Sequence, residues 1–139
     1  MKKSKKILLL SLLFVVFAFG VRVWIEYSPI VFDYRVIHNR DTVNDLTAAF
    51  STALRINHSA AYDMIDPTLK PRLDEWMNSH QSKKCKNIPY FFMIGTGTKQ
   101  GRKSVLSCFG HNGRIDFEVD NIVIEDMKVV DWGEVREGN

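Results

Sequence analysis

The chain has 139 residues and a formal net charge of +3, a length that allows one modest domain. Of its 19 basic and 16 acidic residues, five basic and one acidic residue lie before residue 27, which leaves 14 and 15 behind it. Residues 27–139 therefore carry a net charge of −1 and give no electrostatic reason to expect nucleic acid as a partner.

The N-terminal segment Ile7–Ile25, ILLLSLLFVVFAFGVRVWI, is an apolar run that only one charge interrupts. Its length is close to the roughly 20 residues that a helix needs to cross about 30 Å of hydrocarbon. Basic residues precede the run and interfacial aromatic residues end it, so the positive-inside rule puts the N-terminus in the cytoplasm. The flanking residues are Lys2, Lys3, Lys5, Lys6, Arg22, Trp24 and Tyr27. We therefore predict a lipid-embedded anchor in the inner (cytoplasmic) membrane over residues 1–27, with a periplasmic or extracellular domain behind it.

A cleaved signal peptide is the competing interpretation of the same segment. Ala18 and Gly20 fit the small-residue pattern of a cleavage site, and a cut near Gly20 would secrete the rest of the chain. Retention is favoured because the apolar run resumes after Arg22 and aromatic residues follow it.

Cys85 and Cys108 both fall in the exported part, where an oxidising compartment allows a disulfide. Two strands that fold back through a turn at Gly95–Gly101 bring them within a few residues of each other. We predict a disulfide, with two buried reduced thiols as the alternative. No zinc site is expected, because other ligands are not close in the sequence, and no cofactor is expected.

Residues 28–40 are interpreted as a juxtamembrane connector, because Pro29 prevents simple continuation of the anchor helix, although a helix can resume beyond it. Asp41 or Thr42 then caps a helix that ends near Asn57. The apolar stripe of this helix is Val43, Leu46, Phe50, Ala53 and Leu54, with Asn44, Asp45, Ser51 and Arg55 elsewhere.

Two shorter helices follow in the first half of the chain. The first carries Ala60, Ala61, Tyr62 and Ile65. Asp66-Pro67 closes it, because the residue before proline avoids the helical region. The next helix has Pro71 in its first turn and an apolar stripe of Leu69, Leu73, Trp76 and Met77.

The second half has the composition and alternation of strands. Tyr90–Ile94 and Arg102–Phe109 form the first two strands, and Asn112-Gly113 starts a hairpin into Ile115, Phe117 and Val119. Asp120-Asn121 shifts the apolar phase, which predicts a bulge. A last strand runs from Met127 to Val135, and Arg136–Asn139 is a frayed tail.

Three helices followed by a four-stranded antiparallel meander predict an α+β fold for residues 41–135, with the helices covering one face of a curved sheet. The segments VNDLTAAFSTALRINHSAAYDMIDPTLKPRLDEW and IEDMKVVDWGEV resemble the helical opening and the final hairpin of the nuclear-transport-factor-two-like superfamily, a cystatin-like α+β roll. The resemblance implies a cone-shaped roll with a pocket between helices and sheet. The residues that could line it are Phe50, Tyr62, Asp63, Trp76, Phe117 and Trp132. The stronger alternative for the aromatic residues is that they build the core, because a domain of this size needs about that many large side chains.

No catalytic motif accompanies this resemblance. Enzymes of the superfamily place an Asp/His or Asp/Tyr pair inside the cone, and the residues of this type are Tyr62, Asp63, Asp66, His58 and His111. Their spacing is not diagnostic, because Asp66 already has a role as a cap and His111 falls in a turn. We therefore expect a single-pass interaction or scaffold module, an accessory subunit of a membrane-associated assembly with protein partners or self-association. The alternative is a roll that binds a small apolar molecule or acts on it.

Overall fold

The structure, a computed structural model, describes residues 2–27, 29–82, 90–95, 101–110 and 113–138. It is an α+β fold with a long N-terminal apolar helix, further helices and an antiparallel sheet, which confirms the predicted fold class. The helices are α1 (Lys2–Tyr27), α2 (Pro29–His38), α3 (Val43–Arg55), α4 (Ala61–Met64) and α5 (Lys70–Ser79). The strands are β1 (Tyr90–Gly95), β2 (Arg102–Gly110), β3 (Gly113–Glu125), β4 (Lys128–Asp131) and β5 (Val135–Gly138).

The predicted connector contains helix α2, which begins two residues after α1 ends. Pro29 is the first residue of α2. The N–H groups in the first turn of a helix have no partner within the helix, so the N–H that proline lacks is not needed there. Ile37 is 1% exposed and belongs to the hydrophobic core, and Asp33 is also buried. Part of the segment that we interpreted as a connector therefore contributes to the core of the domain.

Helix α3 is the central element of the fold. Thr42 caps it: its hydroxyl accepts from the Asp45 N–H (3.1 Å), and the Asp45 carboxylate accepts from the Thr42 N–H (3.1 Å). This confirms one of the two predicted caps. All ten residues from Leu46 to Arg55 are buried. They include Ser51 and Arg55, which lie outside the predicted apolar stripe.

The burial of Arg55 follows from its partner on α2. Its guanidinium forms an ion pair with the carboxylate of Asp33, and the two side chains are 1% and 8% exposed. A buried charge is tolerated only when it is paired and hydrogen-bonded. The Asp33–Arg55 pair therefore fixes α2 against the polar side of α3.

The segment between α3 and α5 differs in part from the prediction. Asn57 adopts φ +50° after α3, and its side-chain amide donates to the carbonyls of Met77 (3.3 Å) and His80 at the end of α5. Helix α4 is a single turn, so the predicted helix through Ile65 is wrong there. Ile65 is extended and forms a parallel β-bridge with Val129 of β4. This bridge replaces the backbone contacts that a longer helix would have made.

A 3₁₀ turn, Pro67–Leu69, leads into α5, and Asp66 caps that turn by accepting from the Thr68 N–H at 2.9 Å. In α5, Leu73 is fully buried, and Leu69, Trp76 and Met77 pack against the core around it. The predicted apolar stripe of this helix is confirmed.

The sheet has the order β1-β2-β3-β4, and β5 also pairs with β3. Val123 of β3 lies opposite Asp131 of β4. Val119, four residues earlier in β3, lies opposite Val135 of β5, which is four residues after Asp131. Strand β5 thus continues the path of β4 after an interruption at residues 132–134. The prediction of a frayed tail is wrong for residues 136–138, because their backbone pairs with residues 116–118 of β3.

The predicted bulge at Asp120-Asn121 is confirmed. Arg102 pairs with Ile122 and Ser104 with Val119, so two residues of β3 lie opposite one residue of β2. Asn121 has φ +51°, and Gly101 has φ +126° beside it. A Cβ at Gly101 would lie 2.8 Å from the Asn121 carbonyl carbon, so glycine is required at this close approach.

The two faces of the sheet differ in chemistry. Phe117 and Val119 are buried against the helices, whereas Glu118 between them points to the other face and accepts from Lys103 Nζ at 2.8 Å. In β4 an extra residue lies opposite the Val123–Ile124 step and changes the alternation. Val129 of β4 and Trp132, the residue after β4, are both buried. The core joins both layers and contains Ile37, Leu46, Phe50, Leu54, Met64, Leu73, Leu106, Phe117, Val119, Ile122, Val129 and Trp132.

We predict that the Asp33–Arg55 pair is essential for stability. Asp33→Ala or Arg55→Ala should lower the free energy of unfolding by about 3–5 kcal/mol, because each leaves one buried charge without its partner. The double variant Asp33→Leu/Arg55→Met should recover most of the loss. Denaturant unfolding of the full chain in mild detergent measures all three.

The control is Lys103→Ala, which removes an ion pair whose lysine is 42% exposed and should cost less than about 1 kcal/mol. Equal effects of Lys103→Ala and Arg55→Ala would contradict the special role of the buried pair.

Candidate functional site

The six residues predicted to line a pocket differ in burial, from Phe50 in the core to the exposed Asp63. Phe50, Phe117 and Trp132 are 0%, 3% and 3% exposed and pack in the core. The Phe50 and Trp132 rings meet edge to face with centroids 5.2 Å apart. These three side chains occupy the space between helices and sheet where the resemblance implies an open cone.

Tyr62 and Asp63 lie on α4, where Tyr62 is half-buried against the core. The Tyr62 hydroxyl donates to Asp74 Oδ1 at 2.6 Å, and Lys70 Nζ donates to Asp74 Oδ2 at 2.8 Å. Asp63 is exposed, and its backbone carbonyl accepts from the Lys128 ammonium. Tyr62, Lys70 and Asp74 therefore form a surface hydrogen-bonded cluster that joins α4 to α5.

The pKa shifts in and near this cluster are those of hydrogen-bonded groups, and they do not favour a carboxylate that abstracts a proton. The bonds from Lys70 and Tyr62 lower the pKa of Asp74, and the bond to Asp74 raises the pKa of Tyr62. The hydrogen bonds from Thr68 lower the pKa of Asp66 in the same way. A carboxylate that acts as a general base near neutral pH needs a pKa raised toward that pH. The pKa values of Asp66 and Asp74 are both lowered instead.

The two histidines singled out in the sequence have different outcomes. His58 Nδ1 accepts from the Ala60 N–H at 3.1 Å, which gives this ring a role in the turn before α4. His111 lies outside the described residues. In the part of the chain that the structure describes, no three His, Cys, Asp or Glu side chains converge as a metal-ligand set.

A surface cleft of about 250 Å³ lies between α5 and the interruption that separates β4 from β5. Two of the predicted pocket residues contribute to its lining: Trp132 of the core and Trp76, which packs against the core. Its full lining is Arg72, Glu75, Trp76, Ser79, His80, Trp132, Gly133 and Val135. The aromatic surface expected inside the roll is therefore partly on its outer side.

Arg72 occupies one wall of this cleft. Its guanidinium lies 4.2 Å from the centroid of the Trp132 ring, and its Nη1 donates to Asp131 Oδ1 at 2.8 Å. Its Nη2 donates to the carbonyls of Trp132 (2.6 Å) and Gly133 (3.3 Å). Arg72 thus satisfies backbone acceptors where the strand is interrupted. The sequence carries no local signal for this role, because the partners are about 60 residues away.

The opposite wall is a stack of Trp76 and His80, with ring centroids 3.5 Å apart. Trp76 Nε1 donates to the Leu54 carbonyl at 3.0 Å. Ser79 Oγ lies 2.7 Å from His80 Nδ1 and also donates to the Glu75 carbonyl at 2.7 Å. The direction of the hydrogen bond between Ser79 and His80 depends on the tautomer of the His80 ring.

The predicted disulfide falls partly outside the structure. Cys85 lies outside the described residues. Cys108 lies in β2, where its backbone is opposite Tyr90, the first residue of β1. The register of β1 and β2 thus brings the strand that follows Cys85 against the strand that contains Cys108.

The longest apolar surface belongs to α1. Residues Lys5–Trp24 form a 20-residue candidate membrane span, and every side chain in it is exposed. Arg22 lies near its far end, and Trp24 is 67% exposed. By length and composition, a membrane anchor and a signal sequence both have these properties.

We predict a pH-dependent contribution from Asp74. A carboxylate with a lowered pKa in the folded state stabilises that state above its unfolded pKa, and the contribution is lost as pH falls through the folded pKa. Asp74→Asn should therefore lower the denaturant midpoint at pH 7, and the difference from the parent should shrink below about pH 4. Asp63→Asn on the neighbouring helix is the control. A pH-independent difference for Asp74→Asn would contradict the prediction.

Comparisons of the chain with protein-family models, with curated proteins and with solved structures found no match. The contacts described above are therefore the basis for any statement about function.

Proposed function

We propose that the chain is a single-pass membrane protein whose α+β domain is an interaction module, an accessory subunit of a membrane-associated assembly. The observation that carries this proposal is that the apolar side chains of α1 are exposed along its candidate span. Only one residue separates α1 from α2, and α2 packs into the core of the domain. Such an arrangement holds the domain close to the bilayer and concentrates it in the membrane plane.

Topology is proposed from charge. The four lysines before Ile7 stay on the cytoplasmic side, and the domain is periplasmic or extracellular. Retention of α1 is supported by the part of this helix that follows Gly20. The helix continues to Tyr27, and the apolar side chains of Val21, Val23 and Trp24 are exposed there. A cut near Gly20 would leave this apolar turn on a secreted protein.

An interaction role is favoured over an internal ligand because of how the cone is filled. Phe50, Phe117 and Trp132 are core residues, so the roll proposed from the superfamily resemblance has large side chains where a ligand would sit. The second candidate, a roll that binds a small apolar molecule, has the cleft at Trp76 and Trp132 as its specific support. Its volume of about 250 Å³ is below the range of roughly 300–1,000 Å³ for small-molecule sites.

We predict that the full chain is recovered with a second protein, or with a second copy of itself, after crosslinking in intact membranes and purification in mild detergent. As a control, Ile7–Ile25 is replaced by an unrelated apolar helix of equal length. If the domain makes the contact, the same partner should be recovered. Mass spectrometry of the purified chain also detects cleavage near Gly20.

A lone monomer at native expression would contradict the assembly. Loss of the partner on helix replacement alone would assign the contact to α1 instead of the domain.

We also predict a disulfide between Cys85 and Cys108, because an oxidising compartment and the β1–β2 register both favour it. Non-reduced protein should lack thiols that react with maleimide after denaturation. Cys85→Ser should release one reactive thiol at Cys108, and Cys108→Ser should release one at Cys85. Two reactive thiols in the unreduced parent would contradict the bridge.

A further inference from the structure

We propose that the outward face of α2, formed by Val31, Tyr34, Arg35 and His38, lies on anionic phospholipid headgroups of the membrane that holds α1. This inference rests on the proposed function, because it requires that α1 stays in the bilayer.

Helix α2 has two sides of different chemistry. Asp33 and Ile37 are 6% and 1% exposed and face the domain. On the other side, Tyr34 is 62% exposed, and Arg35 and His38 are also exposed. Residues 31, 34, 35 and 38 have the spacing of one helix face. The domain therefore covers one side of α2 and leaves Tyr34, Arg35 and His38 outward, with Val31 half-buried at the start of the same stripe.

The outward face combines an aromatic platform with positive charge. The Tyr34 and His38 rings stack with centroids 4.0 Å apart, and His38 Nδ1 donates to the Tyr34 carbonyl at 2.7 Å. Asp33, the acid in the sequence of α2, is buried in its pair with Arg55. Within α2, therefore, no acid lies on the outward face beside the positive charge of Arg35. Tyrosine and arginine are residues that interfacial helices place at headgroup level.

Continuity with α1 identifies the surface that this face meets. α1 ends at Tyr27 and α2 begins at Pro29, so α2 starts where the chain leaves the hydrocarbon. The headgroup layer is roughly 5–8 Å deep on each side. Pro29 has no N–H to donate to the Ile25 carbonyl, so the chain can change direction there. A helix of 10 residues, about 15 Å long, can then lie along the surface with Arg35 near the phosphates.

The test places a photocrosslinker on this face of the full chain. Tyr34→p-benzoylphenylalanine is reconstituted in nanodiscs of phosphatidylcholine alone or mixed with phosphatidylglycerol, and lipid adducts are measured by mass spectrometry. Ile115→p-benzoylphenylalanine is the matched control, because Ile115 is a 54% exposed apolar residue on β3. We expect lipid adducts at position 34 and not at position 115, with higher yield in the anionic discs.

Charge variants sharpen the result. Arg35→Gln should lower the adduct yield at position 34 about fivefold in anionic discs, as expected for loss of one basic residue near an anionic surface, whereas Arg35→Lys should keep it. Equal adducts at positions 34 and 115, no dependence on anionic lipid, or protein adducts at position 34 would each overturn the inference. Retention of the chain in the discs after alkaline carbonate is measured in parallel. Loss from the discs would instead overturn the proposed anchor.

Discussion

The buried ion pair between Asp33 and Arg55 is the constraint on which the rest of the structure depends. A buried arginine such as Arg55 costs several kcal/mol unless a counter-charge and hydrogen bonds compensate it. That counter-charge comes from α2, so α2 must be docked for the domain to be complete. Because α2 starts two residues after α1, the apolar N-terminal helix and the core are connected through a helix that is itself part of the core.

Features with a local cause were predictable from the sequence. The Thr42 cap depends on a residue three positions away, and the apolar stripe of α5 depends on helical spacing. The bulge at Asp120-Asn121 was visible because the alternation of β3 changes phase within three residues. The long apolar run of α1 is likewise a property of consecutive residues.

Features that depend on distant partners were not predictable. The sequence placed Arg55 only off the apolar stripe of α3, because its partner Asp33 lies 22 positions earlier, in a segment interpreted as a connector. Arg72 finds its acceptors about 60 positions later, and β5 pairs with β3 across the interruption after β4. Of the aromatic residues considered for a pocket, Phe50, Phe117 and Trp132 are buried in the core, and the sequence could not decide between the two roles because both use large apolar side chains.

The interruption between β4 and β5 also affects how copies of the domain meet. A long, regular edge strand offers a row of unpaired backbone groups to a neighbouring sheet, and crowding in a membrane plane would increase such encounters. Here the edge is split into two strands of four residues, Arg72 binds carbonyls at the gap, and charged Arg136 and Glu137 lie in the second strand. This edge therefore resists strand-to-strand pairing with the sheet of a neighbouring domain.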